Sequence, residues 1–203
     1  MTTILHIDSS ILDGYSVSRV LSTDLVARLQ TLHPNSKVIY HDLAANGPGH
    51  LSGAYMAATR GAEVTDPTLS SELASGNAYI DELFAADIIV IGSPMYNFNI
   101  SSQLKAWIDR IVIAGRTFKY DENGVEGLLK GKKLFIASAQ GGSYASDSPM
   151  AFLDHQEAYL RGVLGFIGLI DVTVIRADGI NLGEEVKAAV IAKAKTEIAA
   201  LAA

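Results

Sequence analysis

Five short β-branched runs recur along this chain, at Thr3–Asp8, Lys37–Tyr40, Asp87–Gly92, Lys133–Ala139 and Asp171–Ala177. Each is almost continuously apolar, Ile88-Ile89-Val90-Ile91 most purely, which is the pattern of strands covered on both faces. Helical stripes lie between and after them. Ser18–His33 aligns Leu21, Leu25, Leu29 and Leu32, and Ser101–Ile113 aligns Leu104, Trp107, Ile108 and Ile111. Gly183–Leu201 carries Glu184 and Glu185 in its first turn, where the helix dipole favours acid, and offers Val186, Val190 and Ile198 to a core. Strands alternating with helices predict a parallel sheet with right-handed crossovers and helices on both faces. For five strands the expected order is 2-1-3-4-5. Ala44–Pro67 and Gly115–Lys130, the latter with an Asp121-Glu122-Asn123-Gly124 turn, read as irregular.

The 203 residues suit one domain spanning 1–203, large enough to hold itself together without metals or cross-links. Cysteine is absent, which excludes disulfide scaffolds, catalytic thiols, cysteine-ligated zinc and iron–sulfur clusters. A formal charge of −6 gives no electrostatic reason to expect nucleic acid or an anionic membrane as partner. No basic region precedes the first strand, and the apolar stretch Val163–Ile170 is far short of the ~20 residues a spanning helix needs. A cytoplasmic protein is expected. His6, His33, His41, His50 and His155 show neither paired spacing nor a carboxylate at ligand spacing, so no metal site is expected, and His6 reads as a core histidine.

In a doubly wound sheet, ligands sit beyond the carboxyl ends of the strands near the switch in strand order. The loops to read therefore follow strands 1, 3 and 4. The first, Ser9-Ser10-Ile11-Leu12-Asp13-Gly14-Tyr15-Ser16-Val17-Ser18, is rich in hydroxyls and ends where a helix starts. Ser10, Ser16 and Ser18, with the free N–H groups of that helix, form a neutral cradle for a phosphate; Ser16 or Ser18 is alternatively a plain N-cap. The second, Ser93-Pro94-Met95-Tyr96-Asn97-Phe98-Asn99, combines stacking surface with amides, as a flat heteroaromatic ligand requires; it reads equally as a packed loop with Asn99 or Ser101 capping the next helix. In the third, Gly141-Gly142 admits a close backbone approach or is simply a strand-to-helix turn.

Competing motifs fail. No G-x-G-x-x-G follows strand 1, and Gly127–Lys133 is too short for a P-loop and lacks its hydroxyl residue. Gly141-Gly142-Ser143-Tyr144-Ala145 lacks the last glycine of a hydrolase elbow, and His155 follows too closely to serve it. A phospho-receiver site would need an acidic cluster after strand 1, where Asp8 stands alone, and an aspartate where strand 3 ends in Gly92-Ser93.

The serine loop, the Pro94–Ser101 segment, Thr117-Phe118-Lys119-Tyr120 with Glu122-Asn123-Gly124, and Gly165-Phe166-Ile167-Gly168 together resemble the bacterial FMN-dependent NADH-azoreductases, also described as NADH:quinone oxidoreductases. The resemblance runs from the first strand to the last helix. It implies a flavodoxin-like homodimer with FMN tightly bound at the subunit interface. By position, Ser10, Ser16, Val17 and Ser18 would hold the phosphate, and Met95, Tyr96, Asn97 and Phe98 would line the isoalloxazine. The Ala139-Gln140-Gly141-Gly142 loop would meet the ring's polar edge, and Tyr120, with Phe166 from the other subunit, would wall the substrate pocket. Relatives often carry Ser-Arg-Gly-Gly where this chain has Ala139-Gln140-Gly141-Gly142, so a hydroxyl and a cation are missing there. The implied activity passes hydride from NADH through flavin N5 to quinones or azo dyes in ping-pong fashion, with no catalytic side chain. A flavodoxin-like electron-transfer protein without NADH turnover is the alternative.

Overall fold

The computed structural model describes residues 1–122 and 124–202. In chain order the elements are β1 (Thr3–Asp8), α1 (Val17–Leu32), β2 (Lys37–Asp42), α2 (Leu43–Asn46), α3 (Gly53–Ala58), α4 (Pro67–Ala85), β3 (Ile88–Pro94), α5 (Ser102–Ile111), β4 (Phe118–Asp121), β5 (Gly124–Gly127), β6 (Lys133–Gln140), α6 (His155–Phe166), β7 (Asp171–Asp178) and α7 (Glu184–Ala199). Short 3₁₀ turns occupy Asp13–Tyr15 and Ala151–Leu153. One sheet has the order β2-β1-β3-β6-β7 with every neighbouring pair parallel. With the separate β4–β5 hairpin set aside, this is the expected 2-1-3-4-5. The register aligns Asp8 with Asp42 and Gly92, and Pro94 with Ala139, so the loops after β1, β3 and β6 emerge side by side.

Strand alternation divides the core in two. Leu5, Ile7, Ile89, Ile91, Leu134 and Ile136 face Tyr79, Leu83, Leu104, Trp107, Leu160 and Leu164 from α4, α5 and α6. Ile4, Ile88, Val90, Phe135 and Ala137 face Leu21, Leu25, Leu29, Ala194 and Ile198 from α1 and α7. Helices thus cover both faces. Each fully buried Leu or Ile contributes roughly 1.5–3 kcal/mol. No described helix is long and apolar enough to cross a membrane.

Several expectations need correction. The edge strands β2 and β7 are only partly covered, because an edge has a neighbour on one side alone. Val186 is 39% exposed and Leu32 is only half-buried. Ala44–Pro67 is not irregular throughout: it holds α2 and α3, and α4 begins at its end. Helix α4 was overlooked, although Leu69, Leu73, Gly76, Ile80 and Leu83 recur at helical spacing and it buries Gly76, Tyr79, Ile80 and Leu83. Its start was also written in Asp66-Pro67, a capping carboxylate that accepts from Thr68 N followed by proline at the first helical position. Gly115–Lys130 contains the antiparallel β4–β5 hairpin; Asn123 of its expected turn lies outside the described residues. Finally, Val163–Ile170 is helical only to Phe166. Leu164, Ile167 and Leu169 are buried, leaving Phe166 and Ile170 exposed.

Candidate functional site

The loop after β1 is fixed to β3 by Ser9 Oγ, which donates to Gly92 O at 2.9 Å. A Cβ on Gly92 would stand 2.2 Å from Asp8 Oδ1, so glycine is required for the strands to meet there. The loop then turns through Asp13, at φ +48°, into α1. Ser16 is the N-cap, its Oγ accepting from Arg19 N at 3.3 Å. Its hydroxyl also lies 3.1 Å from that of Ser18, and both residues are buried. Ser16 is thus the cap of α1, with the Ser18 hydroxyl beside it. These hydroxyls and the first-turn amides of Val17 and Ser18 gather at the positive end of a 16-residue helix. Ser10 belongs to a second pair: its Oγ is 3.1 Å from Tyr96 Oη, which also accepts from Ile11 N at 3.2 Å. The serine loop and the aromatic loop are thereby joined.

Arg19 was not singled out from sequence. A cation in the first turn of a helix opposes the dipole, and that was the only signal. Its Nε and Nη2 donate to Ser10 O at 3.2 and 2.8 Å, while Nη1 and Nη2 donate to the Asp42 carboxylate at 2.9 and 2.6 Å. Beneath it the buried Asp8 accepts from Ser22 Oγ at 2.7 Å and Tyr40 Oη at 3.2 Å, with His6 Nε2 3.4 Å away. His6 is buried, as expected. The hydrogen bond to Asp42 raises the Arg19 pKa, and the same bond holds the Asp42 carboxyl below its ordinary 3.8. A depressed carboxyl stabilises the fold above its unfolded pKa, and that contribution disappears as pH falls through the folded value. Below about pH 4 the serine loop should therefore loosen. Asp42→Asn should remove that part of the acid profile of Tm; superimposable wild-type and variant profiles would show that the pair does not anchor the loop.

The loop after β3 is a tight turn in which Tyr96 N donates to Asn99 O at 2.8 Å and Asn99 N to Tyr96 O at 3.1 Å. Asn97 and Phe98 both have positive φ, +48° and +69°. Such a turn suits asparagine but strains phenylalanine, at a cost of order 1–3 kcal/mol that concentrates at functional sites. Phe98 is held there edge-on to Tyr144, with ring centroids 6.0 Å apart. The helix cap that follows is Ser101, not Asn99.

Two cavities flank this turn and share Met95 and Asn97. One, of about 380 Å³, is completed by Phe98, Gly141, Gly142, Tyr144 and Asn181. The other, of about 730 Å³, extends past Ile11 and Tyr96 towards α5. Added Cβ atoms at Gly141 and Gly142 would stand 2.6 Å from Asn181 Nδ2 and 2.9 Å from Tyr144 Oη, so both glycines keep the smaller cavity open. Asn181 and Tyr144 were missed from sequence, and only the register of β6 and β7 brings the first of them near.

Ala139 and Gln140 are not loop residues: they end β6 and are buried. Ala139 O accepts from Met95 N at 2.8 Å. Gln140 Nε2 donates to Asp154 Oδ2 and Gln156 Oε1, both at 3.1 Å, and Gln156 Nε2 donates to Ser93 O and Oγ. Gln140 thus faces a buried amide network that ties the end of β3 to the start of α6. Tyr120 and Phe166 lie apart from these loops and line neither cavity within one chain. Both pack on Phe118, at 5.5 and 4.6 Å between centroids, and form one exposed aromatic cluster with Tyr120 69% and Phe166 37% accessible. No metal-binding cluster occurs among the described residues.

Against known proteins, residues 2–202 match the Flavodoxin_2 family, described as having a flavodoxin-like fold. An FMN-dependent NADH:quinone oxidoreductase of Methylocella silvestris is 52% identical over 98% of both chains. One from Sinorhizobium fredii is 51% identical over 97% of this chain and 95% of its own. Among solved structures, an FMN-dependent NADH-azoreductase from Bacillus anthracis in complex with FMN superposes with a TM-score of 0.87 at 27% identity over the full length of both.

Proposed function

Because this chain belongs to the FMN-dependent NADH:quinone oxidoreductase family, we propose that it binds FMN across the loops after β1, β3 and β6 and reduces quinones and aromatic azo compounds at the expense of NADH. The observation that carries this reading is the direct bond between the two halves of the site. The Ser10–Tyr96 contact locks the serine-rich start of α1 to the strained Tyr96–Asn99 turn. A phosphate and a flat ring held by one ligand would need that pairing.

The residues fit the group. The donors at the start of α1 are neutral hydroxyls and amides gathered at the helix N-terminus, the kind a terminal phosphate requires. Met95, Tyr96, Asn97 and Phe98 offer stacking surface and an amide to the ring. Gly141 and Gly142 bring backbone to its polar edge; Ala139 and Gln140 act from behind, by fixing Met95 and the amide network. When bound, FMN would supply the redox chemistry, carrying reducing equivalents from NADH to the acceptor. The protein's part is to orient ring and substrates and to exclude water, and no side chain is needed as acid or base.

A second copy of the chain completes the pocket in this reading. Since Tyr120 and Phe166 share one cluster, they would enter a neighbouring site together, both from the other subunit. The decisive experiment is anaerobic. The purified protein should be yellow with one FMN per chain, lose its colour on adding NADH and regain it with a quinone. Flavin that NADH leaves oxidised would favour a plain electron-transfer protein. Tyr120→Ala should keep FMN and the dimer while lowering kcat/KM for bulky aromatic acceptors roughly 2- to 13-fold, the worth of one aromatic partner. Initial-rate plots should be parallel, since both substrates use one stacking place. Intersecting lines, a monomer by light scattering or a colourless Tyr120→Ala protein would refute the shared pocket.

A further inference from the structure

The larger cavity, about 730 Å³, leads away from the Tyr96–Asn99 turn to the first turns of α5. Ile11, Met95 and Ile100 give it apolar walls, and Tyr96 and Tyr159 add rings. Among the described residues lining either cavity, Lys105 is the one that carries a charge. Its Nζ is paired with Asp109 Oδ1 at 2.6 Å, one helical turn away, and the side chain is 48% exposed. Exposed pairs at this spacing are weak, so the ammonium can turn from Asp109 to an anion in the groove. Tyr159 stands in the same field, its hydroxyl pushed up chiefly by burial with Lys105 and Asp109 acting in opposite directions, and it remains a neutral donor beside the ammonium. Gln140 does not line this groove, and its amide nitrogen is spent on Asp154 and Gln156.

We propose that Lys105 sets the acceptor preference of this groove, selecting flat aromatic acceptors that bear a carboxylate or sulfonate; the proposal rests on the quinone and azo reductase reading above. The aromatic body would lie against Tyr96 and the apolar wall near Met95, and the anionic substituent would meet Lys105 and Tyr159. An uncharged analogue of the same shape would fill the walls and leave the ammonium with Asp109.

The test uses the FMN-loaded enzyme with a carboxylated azobenzene dye and its neutral methyl ester. Lys105→Met should lower kcat/KM for the carboxylated dye about five- to tenfold, leave the ester unchanged and abolish the salt dependence of the difference. Lys105→Arg should restore most of it. The dye's binding constant, read by difference spectrum without NADH, should weaken by the same factor. Equal losses for both dyes would reveal a structural role and overturn the proposal, as would a higher KM for NADH with dye selectivity intact. Wild-type protein that binds the dyes selectively but never turns over NADH would refute the reductase reading and leave the Lys105 assignment standing.

Discussion

Replacing Ser16 and Ser18 together by alanine is expected to weaken FMN binding at least about 100-fold while leaving riboflavin binding nearly unchanged. Hydrogen bonds to a charged group contribute ~1.5–3 kcal/mol each, so two at the low end make ~3 kcal/mol, a factor above ~100. Nothing nearby can substitute for them. Arg19, the adjacent cation, is committed to Ser10 O and Asp42, and the other donors at this end of α1 are backbone N–H groups already in place. Ser16 is also the helix cap, and loss of its bond from Arg19 N should cost ~1 kcal/mol of stability. That cost falls on both ligands alike, so the ratio of FMN to riboflavin affinity isolates the phosphate. Equal losses for the two ligands, measured by fluorescence titration of the apoprotein, would place the phosphate elsewhere.

Gly127→Ala is expected to lower Tm by roughly 2–12 °C and to detach the β4–β5 hairpin from the end of α6. A Cβ at Gly127 would lie 2.3 Å from Gly168 N and 2.4 Å from the Ile167 carbonyl carbon, which is backbone and cannot swing aside. Gly168 has φ +107°, and Leu129 N donates to Ile167 O at 2.9 Å, so the two segments are clamped where the methyl would intrude. Overpacking of this kind costs ~1–3 kcal/mol or more, and each kcal/mol shifts Tm by ~2–4 °C at this chain length. The hairpin carries Phe118 and Tyr120 to Phe166, so acceptor kinetics should suffer together with stability. Gly162→Ala is the control: a Cβ there meets nothing within 4 Å in the middle of α6, and Tm should hold or rise. A Gly127→Ala melting curve equal to wild type would show that the close approach is unimportant.

The five strands of the parallel sheet, the helices α1, α5 and α7 and the serine and Met95–Phe98 loops could be read from sequence because their signals are local. Periodicity marks a buried face within a few residues, and capping or turn chemistry acts over three or four. Helix α4 carried the same kind of local signal, Leu69, Leu73, Ile80 and Leu83 behind the Asp66-Pro67 start, and was overlooked. What tertiary structure decided was which distant groups meet. The register of β1, β3 and β6 sets Ser10 against Tyr96, 86 residues away. It also turns Gln140 towards Asp154 and Gln156 instead of the cavity. Arg19 gained its place by reaching Asp42 on β2, and Tyr120 joined Phe166 only because two glycines let a hairpin rest on a helix end. These are pairings across loops and layers, fixed by backbone packing and hydrogen bonding between segments far apart in the chain, and no short stretch of sequence contains both partners.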